Sequence, residues 1–162
     1  MSMPTNVAPP TLTPVTMEMG GSLMQDEPVA AKGVQPATAN EGGQLLPYQL
    51  DGDVKVFALE AKPVLWKINA ETQVTAWTYN GTVPGPLIRV TEGDPVRVIF
   101  KNNLVKPTTI HWHGVPVPNN MDGVGQPVKA GETFTYEFVA KPAGTFMYHS
   151  HYDTDTQINI GL

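Results

Sequence analysis

An all-β domain is predicted for residues 48–162, and three observations predict it. The apolar stretches are short, Gly, Pro and Asn turns separate them at all-β spacing, and the clearest stretches alternate with period two. About eight short strands without intervening helices make a β-sandwich or a Greek-key barrel. The length suits one such unit: with 162 residues, 41% of them hydrophobic, the chain can bury a single core of ordinary size, and two domains would be cramped.

Residues 1–47 have a different texture. They hold seven of the sixteen prolines and five of the seven methionines (Met1, Met3, Met17, Met19, Met24), with much Thr, Gly and Ala and no sustained period. This composition reads as a disordered arm. Thioethers bind Cu(I), which would make the arm a copper-capturing device, but composition supports a plain disordered leader first. From Val54 onward, strands are expected at 54–60, 63–68, 73–79 and 86–91. The next follows a Glu92-Gly93-Asp94 turn signal, and its Val96, Val98 and Phe100 share one face. Further strands are expected at 108–113, at 132–139 and at 144–151. In the second of these Phe134, Tyr136 and Phe138 oppose Thr133, Thr135 and Glu137.

Composition also removes several functions. Only 15% of residues are charged, the net charge is -5 and no Lys/Arg cluster occurs, so nothing could neutralise a run of phosphates and nucleic acid is excluded as a partner. The apolar runs are far shorter than the roughly 20 residues of a membrane-spanning helix, and the N-terminus shows no signal peptide. The chain has no cysteine, which removes disulfides, thiolate ligands and a cysteine nucleophile together. A metal would have to be held by His and oxygen.

The four histidines all fall in two His-x-His pairs, His111-Trp112-His113 and His149-Ser150-His151. Residues i and i+2 of a strand project from the same face, so each pair offers two imidazoles to one metal site or two adjacent ones. A single histidine would be assigned to the surface or to a satisfied core position. Four arranged in this way form a chelating set. Imidazole suits Cu, Zn, Fe and Ni, and with no Cys and no nearby carboxylate triad copper and zinc lead. Ile110 and Trp112 oppose the first pair, Phe146 and Tyr148 the second. If these large apolar residues fill the core, the imidazoles point outward and the metal lies outside the barrel. Four imidazoles are few for the metals that two chelating pairs could serve, so a partner surface is implied.

These residues resemble the multicopper oxidases. Tyr79-Asn80-Gly81-Thr82-Val83-Pro84-Gly85-Pro86 is similar to the family's Asn-Gly-x-x-Pro-Gly-Pro stretch, His111-Trp112-His113-Gly114 to its first ligand motif, and Gly144–His151 to its second. The similarity runs from about Val54 to Leu162 and implies an N-terminal cupredoxin-like domain. It implies that His111 binds the type 2 copper, that His113 and His149 bind one type 3 copper, and that His151 binds the other. It further implies that Asp122, eleven positions after His111, helps deliver protons. As a residue before Gly123, Asp122 also reads as a plain turn former.

In the complete proteins the resemblance implies oxidation of a reducing substrate, here unidentified, coupled to reduction of dioxygen to water. The cluster's other four ligands and the type 1 site belong to another cupredoxin domain or subunit, and none of them is found in this chain. Family members continue past the point of Gly161-Leu162 into another strand, so the barrel is expected to lack its last strand, in an incomplete protein or one subunit of an assembly. The resemblance favours the periplasm or the cell exterior. Other readings stay open. A non-catalytic copper-binding module for storage or delivery fits the lack of Cys. A zinc hydrolase would be supported by a His-x-His-x-Asp-His motif, which does not occur. A cupin would place a Glu shortly after the first pair, and Gly114–Met121 holds no acid.

Overall fold

The structure is a computed structural model that describes residues 33–162. Of the stretch expected to be a disordered arm, residues 1–32 lie outside the described residues. Residues 35–46 run along the barrel and are tied to it through the backbone. Ala37 N donates to Leu65 O and Leu65 N to Gln35 O at 3.0 Å each, while Leu46 N donates to Leu87 O at 2.8 Å. Among the described residues, backbone hydrogen bonds to the barrel are already present at Gln35, ahead of residue 48. Isolated backbone bridges leave no side-chain period, which is why the pattern of residues does not announce them.

Strand β1 (Gln49–Asp51) lies antiparallel to the start of β2 (Val54–Lys67). The strands expected at 54–60 and 63–68 are thus one strand. Pro63 cannot donate to a ladder and makes the stretch read as two. β2 changes partner midway. Lys55–Glu60 pair in parallel with β4 (Pro95–Asn102), whereas Ala61–Lys67 pair antiparallel with β3 (Gln73–Tyr79). Asn80 secures the change. Its Oδ1 accepts from Glu60 N at 2.6 Å and its Nδ2 donates to Ala58 O at 3.0 Å. It does so from a φ of 56°, a left-handed conformation that Asn tolerates better than most residues.

β4 also pairs antiparallel with β6 (Thr133–Val139), giving a main sheet in the order β1-β2-β4-β6 with β3 beside β2. A separate two-stranded sheet joins β5 (His111–His113) to β7 (Met147–His149), placing His111 opposite His149 and Trp112 opposite Tyr148. The strands expected at 108–113 and 144–151 shrink to these three-residue pieces, and 86–91 contributes only a bridge from Leu87 to Leu45. A one-turn 3₁₀ helix (Asn119–Met121) and a short α1 (Thr154–Gln157) complete the described elements.

The core lies between the sheets. Phe57, Val98, Phe100 and Ile110 are fully buried, and Val96, Trp112 and Tyr136 nearly so. Phe146 departs from the expected alternation: it is 41% exposed and lies across Gly114 and Gly144, where an added Cβ would meet its ring at 3.1 and 2.8 Å. β7 begins only at Met147, so the alternation of that strand does not reach Phe146. Among the described residues, no helix is long and apolar enough to cross a membrane.

Candidate metal centre

Because β5 buries Trp112, its neighbours His111 and His113 must face away from the core. The same parity sets His149 on that outer side, across the β5–β7 ladder, and His151 follows two residues past the end of β7. The structure brings the predicted residues together. Ligand atoms of His111, His113 and His149 lie within 4.8 Å of one another. His151 stands at the margin of this group, with its ring 5.1 Å from that of His111 and stacked at 6.4 Å on that of His149. The site is an open face rather than a closed pocket: His113 and His151 are exposed. A hollow of about 410 Å³ between residues 36–40 and the far end of β2 and β3 is lined by Leu65, Trp66 and Gln73 and contains no histidine.

Backbone carbonyls decide which ring nitrogens are free. His111 Nδ1 lies 2.9 Å from Asp122 O, and His149 Nδ1 lies 2.8 Å from Ser150 O. A carbonyl only accepts, so each Nδ1 carries the proton and each Nε2 keeps its lone pair. That is the usual outer arrangement of a metal-binding imidazole. His149 Nε2 in turn faces His113 Nδ1 at 3.1 Å. Two nitrogens about 3 Å apart can share one ion at the roughly 2.0–2.1 Å typical of metal–imidazole bonds. The donor set thus fits a borderline first-row metal such as copper. Asp122 adds a carboxylate, its Oδ1 3.1 Å from His111 Nδ1 and its side chain 34% exposed.

The seating of the first pair rests on residues that the sequence does not mark as functional. Tyr136 OH accepts from Ile110 N at 3.0 Å, Tyr79 OH donates to Thr109 O at 2.8 Å, and Thr109 Oγ1 accepts from His151 N at 2.8 Å. Burial pushes the Tyr136 phenol up to about 12 and the Tyr79 phenol well above its ordinary value, so both remain neutral supports. Gly123 closes the site from the other side. Its φ is 74°, and a Cβ there would stand 1.9 Å from Ile110 O. Only a glycine lets the Asp122 turn come close enough for its carbonyl to hold His111. Position alone could have hinted at Gly123, which follows an Asp in a turn; Thr109 carries no such signal.

A family model described as multicopper oxidase matches residues 60–162. Copper resistance protein A of Pseudomonas syringae pv. tomato is 41% identical over 90 residues, covering 53% of this chain and 15% of that protein. The multicopper oxidase MmcO of Mycobacterium tuberculosis is 45% identical over 82 residues, covering 48% of this chain and 16% of that protein. A solved multicopper oxidase from Campylobacter jejuni, described as a metallo-oxidase, superposes with a TM-score of 0.68 at 38% identity. That match covers 75% of this chain and 28% of the solved one. The chain therefore spans about a sixth of the length of these curated relatives and under a third of the solved structure.

Proposed function

This chain belongs to the multicopper oxidase family, with a cupredoxin-like fold and copper as cofactor, and from that premise we propose that it supplies half of a trinuclear copper cluster. The observation that supports the reading is the convergence of three imidazoles within 4.8 Å on an open face, two of which, His111 and His149, donate Nδ1–H to a backbone carbonyl and so turn the Nε2 lone pair toward the group. In the proposed assignment His111 holds the type 2 ion, His113 and His149 hold one type 3 ion, and His151 holds the other.

Copper held there would supply the one-electron redox chemistry through which a complete protein reduces dioxygen to water. The chain's own residues prepare the site. Asp122 O fixes the tautomer and tilt of His111, and Ser150 O does the same for His149. The contact between His113 Nδ1 and His149 Nε2 is a shared proton without metal, and binding requires that proton to leave Nδ1. In the same proposal Asp122 passes protons between solvent and the site, a role supported by its partly exposed Oδ1 3.1 Å from His111 Nδ1. The open face calls for a second cupredoxin domain or subunit, which would bring the remaining ligands and the type 1 copper that takes electrons from a reducing substrate. Placement in the periplasm or outside the cell goes with this reading.

Metal analysis and copper EPR on the purified chain test it, alone and mixed with the C-terminal domain of a multicopper oxidase. The chain alone should bind Cu(II) yet oxidise neither a phenol nor Cu(I), and the mixture should gain oxidase turnover. Tight copper binding that no partner domain alters would instead indicate a storage or delivery module, which the absence of Cys favours. A chain that binds no copper would refute both.

A further inference from the structure

Behind the histidines, on the core side of the two-stranded sheet, lies a polar cluster that the copper chemistry does not use. Thr108, Ser150 and Gln157 are each fully buried. Gln157 Oε1 accepts from Thr108 Oγ1 at 2.7 Å and from Ser150 Oγ at 2.6 Å, and Gln157 Nε2 donates to Pro107 O at 2.9 Å. Each hydroxyl has a single proton, and an amide oxygen has two lone pairs, so the one acceptor serves both. The 3.1 Å between the two hydroxyl oxygens follows from that sharing. Ser150 Oγ also accepts from Tyr152 N at 3.2 Å.

Three buried polar side chains gain little net stability over an apolar filling, but once present they must stay paired, which makes their geometry specific. Their places in the chain show what that geometry fixes. Thr108 lies three residues before His111, and Ser150 lies between His149 and His151. The β5–β7 ladder that joins the two pairs directly is only three residues long on each side. A ladder so short holds the relative tilt of two strands weakly. The amide of Gln157 adds a second tie, reached from α1 (Thr154–Gln157) that directly follows the second pair.

We propose that Gln157 is a positioning residue: by clamping Thr108 and Ser150 to one amide oxygen it sets the spacing between the two His-x-His pairs. The copper readout below rests on the reading of those pairs as ligands, whereas the metal-free readout does not. The variants are Gln157→Met, which keeps the length and loses the hydrogen bonds, and Thr108→Val, with Thr108→Ser as the conservative counterpart. Val64→Ala, in the far half of β2, serves as a control that lowers stability away from the site. Two quantities are measured on the purified chain: nuclear Overhauser contacts between the His111 and His151 rings without metal, and Cu(II) affinity by competition titration with EPR.

In Gln157→Met and Thr108→Val the ring contacts should weaken and Cu(II) affinity should fall about 10–100-fold. In Thr108→Ser and Val64→Ala both should hold. If Gln157→Met merely loses stability as Val64→Ala does, with ring contacts and affinity intact, the positioning role is wrong. If the wild-type chain takes up no copper while the ring contacts still change as described, the positioning role stands and the copper assignment falls.

Discussion

Replacing Gly123 by alanine should damage the metal centre through the backbone, and the size of the effect can be worked from two glycines. At Gly123 a Cβ would stand 1.9 Å from Ile110 O and 3.1 Å from His111 N. Comfortable C···O approach begins at about 3.3 Å, so either the Asp122 turn or the residues before His111 must retreat by more than an ångström. A left-handed φ alone costs an alanine about 1–2 kcal/mol, and forced displacement of packed atoms typically adds about 1–3 kcal/mol. Loss of the His111 Nδ1 bond to Asp122 O adds about 1 kcal/mol. A total of about 3–6 kcal/mol is expected, a large share of the roughly 5–15 kcal/mol that holds an ordinary domain. Gly131 provides the reference, since its φ of 79° nearly equals the 74° of Gly123 while nothing lies within 4 Å of its Cβ position. Gly131→Ala should therefore cost only the conformational part. Urea unfolding of both variants, with Cu(II) titration of the folded protein, measures the difference. Equal losses of stability, or unchanged copper affinity in Gly123→Ala, would refute the close approach as the device that holds His111.

Stability should fall steeply in alkali. An unfolded phenol ionises near 10, whereas Tyr136 keeps its proton to about 12, and Tyr79 and Tyr148 are raised by burial as well. Between these values the folded state binds more protons than the unfolded one, so each tyrosine removes about 1.4 kcal/mol per pH unit as pH rises, and none contributes below about pH 10. Urea midpoints measured across this range should show a smaller slope for Tyr136→Phe. Asn80→Ala should cost about 2–4 kcal/mol in thermal unfolding, because it strands Glu60 N and Ala58 O at the point where β2 changes partner and leaves alanine at a φ of 56°. Asn80→Gly should recover about 1 kcal/mol of this. Loaded with Cu(II), the chain should lack the intense visible absorption of a copper–thiolate bond, because it contains no Cys; a strong blue band would overturn the ligand set.

The parts legible in the sequence are those carried by side-chain period. Val96, Val98 and Phe100 alternate cleanly and are buried together in β4, and the parity of Ile110 and Trp112 is enough to turn His111 and His113 outward. What stayed hidden is held by backbone or by unpatterned polar residues. The Gln35–Leu46 segment binds the barrel through main-chain bridges that any sequence could make. Pro63 disguised one long strand as two. Phe146 sits in the expected parity but one residue outside β7, so the rule that placed Tyr148 inward did not apply to it. Thr108, Ser150 and Gln157 contradict the expectation that core positions are apolar, and only their hydrogen bonds in three dimensions show why they are buried.

Thr108, Ser150 and Gln157 lie together beside the two histidine pairs, and the reason is physical. A metal site on an outer face cannot be made rigid by burying its own ligands, since imidazoles there must stay accessible to ions. Rigidity has to come from the layer beneath. Here that layer is unusually polar: Tyr136 and Tyr79 grip the backbone before His111, Thr109 takes the amide of His151, and Gln157 joins Thr108 to Ser150. An apolar layer would exclude water equally well, but dispersion is nondirectional and would let the two short strands slide by fractions of an ångström. Directional bonds to buried acceptors resist that sliding, because each displaced donor would be left unpaired in a dry interior. The departure of this layer from a simple apolar core is therefore what an exposed, preorganised ligand set requires.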